Sequence, residues 1–258
     1  MTKGFTLEGY DAKGIIRNAD RLAKHFAEHS ILCFKDVGLS ETELKDVMTA
    51  LGQAANFHAA SIYRETHEQI DGKVVWHLEN PHWPTKEYSD PPQTVGGWSM
   101  PHKTCLKSEG RGGFINFADM YDTLPPLLKY FAATEPAFLE TAGECEWLEE
   151  EALPVCLREA TEDDNIRPLA LPHPVTGRMT LRLSPNFGVG LLDQSLQHLA
   201  MRLKRFVNEY VGDPANQFWW DWEEGDFVLV DLHYMCHTVS PFPKGSRTMV
   251  GVFGWYQN

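Results

Sequence analysis

Of the eleven histidines in the chain, one is followed two positions later by a carboxylate: His77 and Glu79, in "VVWHLENPHWP" at residues 74–84. The apolar run before them reads as a strand. Alternate residues of a strand project to one face, so an imidazole and a carboxylate at i and i+2 can reach the same metal ion. A second imidazole would complete a 2-His-1-carboxylate facial triad, the arrangement of non-haem Fe(II) oxygenases, which leaves coordination positions open. His237 in "DLHYMCHTVSP" can supply it, following a buried strand that starts after the "EEGD" turn. Ten residues further on, Arg247 opens an apolar strand. A guanidinium there is costly to bury without an anion, and a carboxylate co-substrate would provide one through a bidentate pair. His102 in "MPHKTC" rivals His77, but Lys103 and Thr104 follow it instead of an acid. Taken singly, each residue has an ordinary structural reading as a packed histidine or a surface arginine. The order His-x-Glu, His, Arg is what points to chemistry.

The elements that must position these residues are short and mostly strand-like. "NADRLAKHFAEHS" has helical apolar spacing and leads into a buried strand, "ILCF". "LSETELKDVMTALG" opens with a capping box from Ser40 to Glu43, and Gly52 is expected to end that helix. "KVVWHL", "TVGGWSM" and "GGFINFA" follow as strands, and "LPPLLKYFAATEPAFLETA" reads as helix broken by proline. The acidic "EWLEEEALPVCLREATEDDN" reads as a solvated surface segment. "PHPVTGRMTLRLSP" is a turn and strand, "DQSLQHLAMRLKRFVNEYVG" an amphipathic helix closed by Gly212, and "SRTMVGVFGW" the last strand. Many short strands with added helices, and no linker or repeat, predict one mainly β domain over 1–258, a jelly roll decorated by helices.

Composition narrows the function classes. The formal net charge of −13 without Lys/Arg clusters argues against nucleic-acid and anionic-membrane partners. The five cysteines are odd in number and lack a CxxC spacing, which fits reduced thiols and a cytoplasmic location. No apolar run approaches the roughly 18 residues that a membrane helix needs. A small-molecule substrate is the expected partner, and homo-oligomerisation stays open.

With these motifs in place, the chain resembles the taurine dioxygenase-like family of Fe(II)/2-oxoglutarate oxygenases. The resemblance is carried by "ILCFKDVGLSETELKDVMTALGQ", "GGFINFADMYDTLPP", "HPVTGRMTLRLSP" and "GDFVLVDLHYMCHTVSP" with Arg247, and runs from about residue 14 to 254. It implies a double-stranded β-helix, with His77, Glu79 and His237 as iron ligands and Arg247 as partner of the distal 2-oxoglutarate carboxylate. Fe(II), 2-oxoglutarate and O2 would be the cofactor and co-substrates.

The departures from the family pattern carry information too. His-x-Glu in place of His-x-Asp is similar to the clavaminate synthase-like branch and implies an amino-acid-type substrate. Ile115 stands where the family commonly has Thr, so either a neighbouring polar group such as Asn116 is expected to help hold 2-oxoglutarate or Arg247 holds its carboxylate alone. Gly251 stands four residues after Arg247, where the family's sulfonate-binding arginine would fall, which argues against taurine. Glu79 argues against halogenation, which requires a small residue there. Substrate-side candidates are His58, Asn80, Trp98, Arg182 and His233, with Asn56, Tyr63 and His82 as further rim residues, and residues 80–100 are a plausible lid. The expected reaction is attack on an unactivated C–H bond of a free amino acid or a small carboxylate- or amine-bearing metabolite. Hydroxylation, desaturation and ring closure are all open, coupled to decarboxylation of 2-oxoglutarate to succinate. A metal-binding jelly roll without turnover, and an iron oxygenase that does not use 2-oxoglutarate, are the alternatives.

Overall fold

The structure, a computed structural model, describes residues 4–65, 74, 76–78, 94–141, 146–148, 153–155, 159–162 and 165–257. In chain order the elements are β1 (Phe5–Leu7), α1 (Ala12–Arg17), α2 (Ala19–His29), β2 (Ile31–Phe34), α3 (Glu41–Ala55), β3 (Phe57–Glu65), β4 (His77–Leu78), β5 (Val95–Lys103), β6 (Gly112–Asn116), α4 (Phe117–Thr123), α5 (Pro126–Thr134), β7 (Ala137–Thr141), β8 (Glu146–Leu148), β9 (Leu153–Val155), β10 (Ala170–Pro172), β11 (Met179–Leu181), β12 (Phe187–Leu191), α6 (Gln197–Gly212), β13 (Phe218–Trp220), β14 (Phe227–Asp231), β15 (Met235–Val239) and β16 (Arg247–Tyr256).

Local chemistry explains where several elements begin and end. Ser40 accepts from the Glu43 backbone N–H at 3.3 Å while Glu43 accepts from the Ser40 N–H at 3.0 Å, the reciprocal capping box that starts α3. Gly52 does not end this helix. It lies inside α3, where a Cβ would stand 2.5 Å from the Phe57 carbonyl oxygen. Its missing side chain serves close packing against the following strand, and Asn56 in the left-handed conformation makes the stop. Pro126 opens α5 at a position where its absent N–H costs nothing. Beyond that helix "AFLET" forms β7 rather than more helix, and parts of the acidic segment pair as β8 and β9. The polar stretch after β14 is itself strand β15.

Two sheets frame the jelly roll. A six-stranded sheet runs in the order β1-β2-β14-β5-β16-β3 and a four-stranded sheet in the order β13-β6-β15-β4. Their facing sides meet across a buried cluster that includes Trp98, Met100, Phe114, Trp220, Trp222, Val228, Val230 and Met235. Helices α1 to α3 cover the other side of the larger sheet through Leu22, Phe26, Leu44, Met48 and Leu51. Helices α4 to α6 cover the other side of the smaller sheet through Phe117, Leu128, Phe131, Leu203 and Val207. Each fully buried side chain of this kind contributes about 1.5–3 kcal/mol. The Gly112-Gly113 pair is dictated by both faces of β6. A Cβ at Gly112 would lie 2.8 Å from the Trp222 indole nitrogen, and one at Gly113 would lie 2.8 Å from both Thr238 and Trp76.

Candidate active site

Strand β15 carries His237 between β6 and β4, and its register places His77 directly opposite His237. The two imidazole centroids are 4.3 Å apart at 74°. Directly opposed residues of an antiparallel pair share a face. Met235, two residues before His237, belongs to the buried cluster between the sheets, so both imidazoles lie on the inner face. Trp98 of β5 reaches across from the larger sheet, 5.6 Å from His237. Two neighbouring imidazoles on an inner face fit a borderline divalent ion such as Fe(II). Glu79 and Asn80, together with His82 and most of the 80–100 lid, lie outside the described residues.

Arg247 is the first residue of β16 and is buried on the same inner side as Met249. Its Nη1 donates to the Gly110 carbonyl at 2.6 Å and its guanidinium lies 4.3 Å from the centre of Phe242. Gly110 has φ +62°, and a Cβ there would approach Arg247 Cδ to 3.1 Å, so a glycine shapes the guanidinium's bed. Lys103 pairs with Arg247 across the strands. Its amine is held below the usual lysine range, first by burial and also by Arg247. This end of the interior carries two neighbouring cations and fits a carboxylate.

Other expected site residues take different positions. Asn116 caps α4, its Oδ1 accepting from the Ala118 N–H at 2.9 Å and the Asp119 N–H at 3.1 Å. Its carbonyl is thus committed to the helix start. Ile115 is fully buried in the cluster beneath α4 to α6. It pairs with Cys236, one residue out of phase with His237, and therefore faces away from the imidazole pair. Phe114 is the β6 residue beside His237 on the inner face. His58 is exposed on the edge strand β3, packed at 4.7 Å against Trp255. Asn56 is the left-handed cap of α3, its side chain donating to the Gln257 carbonyl at 3.2 Å. His102 is half exposed, its side chain 3.7 Å from Glu224. Tyr63 stands in β3 opposite Gly251.

Arg182 and His233 belong to a buried polar knot that sequence reasoning did not assemble. Arg182 Nη1 donates to the carbonyls of Leu232 at 3.2 Å and His233 at 2.6 Å, and burial pushes the guanidinium down to about 10. Asp231 accepts from Tyr256 Oη at 2.8 Å, from His173 Nε2 at 3.0 Å and from the His233 backbone N–H at 3.0 Å. His173 Nδ1 accepts from the N–H groups of Val175 and Thr176, which fixes the proton on Nε2. His233 is pushed down to about 2 by burial and by Arg182 and His173, so it is neutral. The knot locks residues 231–234, the turn that delivers β15 and His237. The only sequence signals were the "HPVTGR" turn and an aspartate ending a buried strand.

A jelly roll with an inward imidazole pair and an inward arginine is an arrangement that suits an iron-dependent oxygenase. The sequence matches the family described as "Taurine catabolism dioxygenase TauD, TfdA family" over residues 8–253. The chain belongs to this family and is an Fe(II)- and 2-oxoglutarate-dependent dioxygenase that uses O2. Among solved structures it resembles AAD-2 in complex with Mn(II) and N-oxalylglycine, with a TM-score of 0.66 at 18% identity, covering 100% of this chain and 96% of that one. It also resembles a taurine dioxygenase from Burkholderia xenovorans, with a TM-score of 0.65 at 14% identity over 98% of this chain and 86% of that one. These likenesses carry the fold. A curated relative, 3-((Z)-2-isocyanoethenyl)-1H-indole synthase from Fischerella ambigua (strain UTEX 1903), is 34% identical over 93 residues. That match spans 31% of this chain and 32% of the relative. Among the described residues no helix is long and apolar enough to cross a membrane.

Proposed function

We propose that His77, Glu79 and His237 hold the iron, that Arg247 holds the distal carboxylate of 2-oxoglutarate, and that the substrate is an amino-acid-derived compound bearing an aromatic ring. The bound iron would supply the oxidation of an unactivated C–H bond, coupled to conversion of 2-oxoglutarate to succinate and CO2. The chain's own residues bind, orient and exclude water. The β4–β15 pairing fixes the angle between the imidazoles. Arg247 and Lys103 favour an anion at the Gly110 end, and the packed tryptophans keep water from the interior.

The observation that carries the aromatic reading is the wall beside His237. Trp98 packs edge-on against Phe253 at 6.1 Å, and further out on the same side Trp255 packs against His58. An aromatic ring can stack or meet edges there for about 0.5–1.5 kcal/mol beyond its area burial. The relative's name describes an indole carrying an isocyanoethenyl group, and this supports desaturation among the outcomes that C–H attack permits. The buried thiols Cys33 and Cys236 fit a cytoplasmic enzyme.

The test is succinate release from the purified chain with Fe(II), 2-oxoglutarate and a panel of aromatic and aliphatic amino acids and their N-substituted derivatives, with mass analysis of products. Stimulation by aromatic members, with a product lighter by two hydrogens, is expected. Stimulation confined to aliphatic members would overturn the substrate assignment. Under anaerobic conditions Fe(II) plus 2-oxoglutarate should give a weak visible charge-transfer band that Glu79→Ala abolishes; an unchanged band in that variant would remove Glu79 from the ligand set.

A further inference from the structure

Helix α2 ends in "HFAEH", which places His25, Glu28 and His29 at i, i+3 and i+4. Residues at these spacings are neighbours on one helix surface, and H-x-x-E-H on a helix is a spacing that zinc-binding enzymes use. Leu22 and Phe26 face the core, so the three residues form a stripe beside the buried one. The donor atoms available on the three side chains all lie within 4.8 Å of one another, and His29 Nε2 is 3.8 Å from Glu28 Oε2. Donors on one tetrahedral zinc ion sit roughly 3.4 Å apart, as bonds of about 2.0–2.1 Å require. Small side-chain rotations close the difference.

A second observation concerns how the rings are held. Phe5 of β1 stacks on His25 at 4.7 Å and 17°, and on His29 at 4.7 Å and 8°. The two imidazoles are thereby held nearly parallel, 6.3 Å apart at 22°. Fixing both ring planes in advance lowers the rotamer entropy lost on chelation. Packing on Phe5 alone would account for the stack. It would not require a carboxylate within reach of both rings.

We propose that this face of α2 binds a divalent transition-metal ion of the zinc type through His25, His29 and Glu28. Two imidazoles and one carboxylate suit zinc, copper or nickel and not calcium or magnesium. Among the described residues no other His, Cys, Asp or Glu joins the cluster, so water completes the shell. Helix α2 packs on the far side of the six-stranded sheet from the imidazole pair of β4 and β15. The site is therefore separate from the oxygenase centre and stands whether or not the proposed function does.

The test is zinc titration of the metal-free full chain by calorimetry. The wild type should bind one equivalent more than the His25→Asn/His29→Asn double variant. A His77→Ala/His237→Ala variant should retain the helix equivalent. Equal stoichiometry and affinity in the wild type and the helix variant would overturn the proposal, as would loss of all zinc binding in the His77→Ala/His237→Ala variant. Because losing both rings could loosen α2, Glu28→Gln is the second probe, since it leaves the aromatic stack intact. It should weaken the helix equivalent by about tenfold or more, and an unchanged affinity would refute the assignment.

Discussion

Replacing Asp231 by Asn tests whether the buried knot at the turn that leads into β15 is as strong as its geometry implies. The carboxylate is 3% exposed and accepts from His173, Tyr256 and the His233 N–H at 2.8–3.0 Å. An asparagine keeps the shape but offers one acceptor oxygen and one donor group. If its oxygen stays on the His233 N–H, its NH2 confronts the His173 Nε2–H, and the Tyr256 hydroxyl must turn from donor to acceptor. If it flips, the backbone N–H is orphaned instead. His173 cannot adapt by changing tautomer, because its Nδ1 accepts from two backbone N–H groups. Hydrogen bonds to a charged acceptor contribute about 1.5–3 kcal/mol each, and leaving a buried donor unsatisfied costs about 1–3 kcal/mol. The substitution should therefore destabilise the metal-free protein by about 3–5 kcal/mol in urea unfolding, and lower Tm by on the order of 10 °C. Tyr256→Phe alone should cost less, about 1–2 kcal/mol. The double variant should cost less than the sum of the single ones, because both remove the same hydrogen bond. A cost below about 1 kcal/mol for Asp231→Asn, or strict additivity with Tyr256→Phe, would show that this network does not hold the turn.

Ile115→Thr, which restores the residue the family commonly has there, should cost about 1–3 kcal/mol by placing a hydroxyl among the apolar side chains beneath α4 to α6. Its 2-oxoglutarate requirement should not fall, and a marked drop in that requirement would show that position 115 reaches the co-substrate. Arg247→Ala should raise the 2-oxoglutarate requirement by roughly 30- to 5,000-fold, as loss of about 2–5 kcal/mol implies. An unchanged requirement would assign the carboxylate to another residue. His233 is held neutral with its folded pKa depressed to about 2, so its contribution to stability is complete above the unfolded pKa and is lost as pH falls toward the folded one. Between pH 7.5 and 5.5 the wild type should lose about 1.4 kcal/mol through this group, and His233→Leu should flatten that part of the profile. An identical slope in the variant would exclude His233 as the titrating group.

The elements that are regular at short range were legible in the sequence. The capping box of α3, the amphipathic α6 and the last strand follow from spacing alone. What decided the site was pairing across the chain. His77 and His237 come together through the register of β4 on β15, and no local signal encodes which residue opposes which. Both sides of β6 are buried, one against the other sheet and one against helices, so "GFIN" shows no polar alternation that would tell Phe114 from Ile115. Asn116 could have been read as a cap, since Asn directly before "FADM" has the spacing of a helix start with Asp119 in the first turn. Gly52 reads as a helix end because a glycine that permits close backbone approach and one that ends a helix look alike in sequence.

The two strands that bring the imidazoles together lie side by side in the smaller sheet. β15 is paired along all five of its residues with β6, and its entry turn is pinned by Asp231, Arg182 and the Thr94 carbonyl. Among the described residues, β4 is held by a two-residue pairing with β15 and by Leu78 in the helix-side cluster. The register of β4 on β15 sets His77 against His237. The departure at position 115 bears on this pairing. Ile115, Cys236 and Leu78 lie side by side across β6, β15 and β4 on the helix side, directly behind Phe114, His237 and His77. An apolar residue at 115 thus completes the packed backing against which the imidazole-bearing face is built. The same substitution that looks like a lost co-substrate contact in the sequence is, in the fold, part of what holds the candidate metal ligands in register.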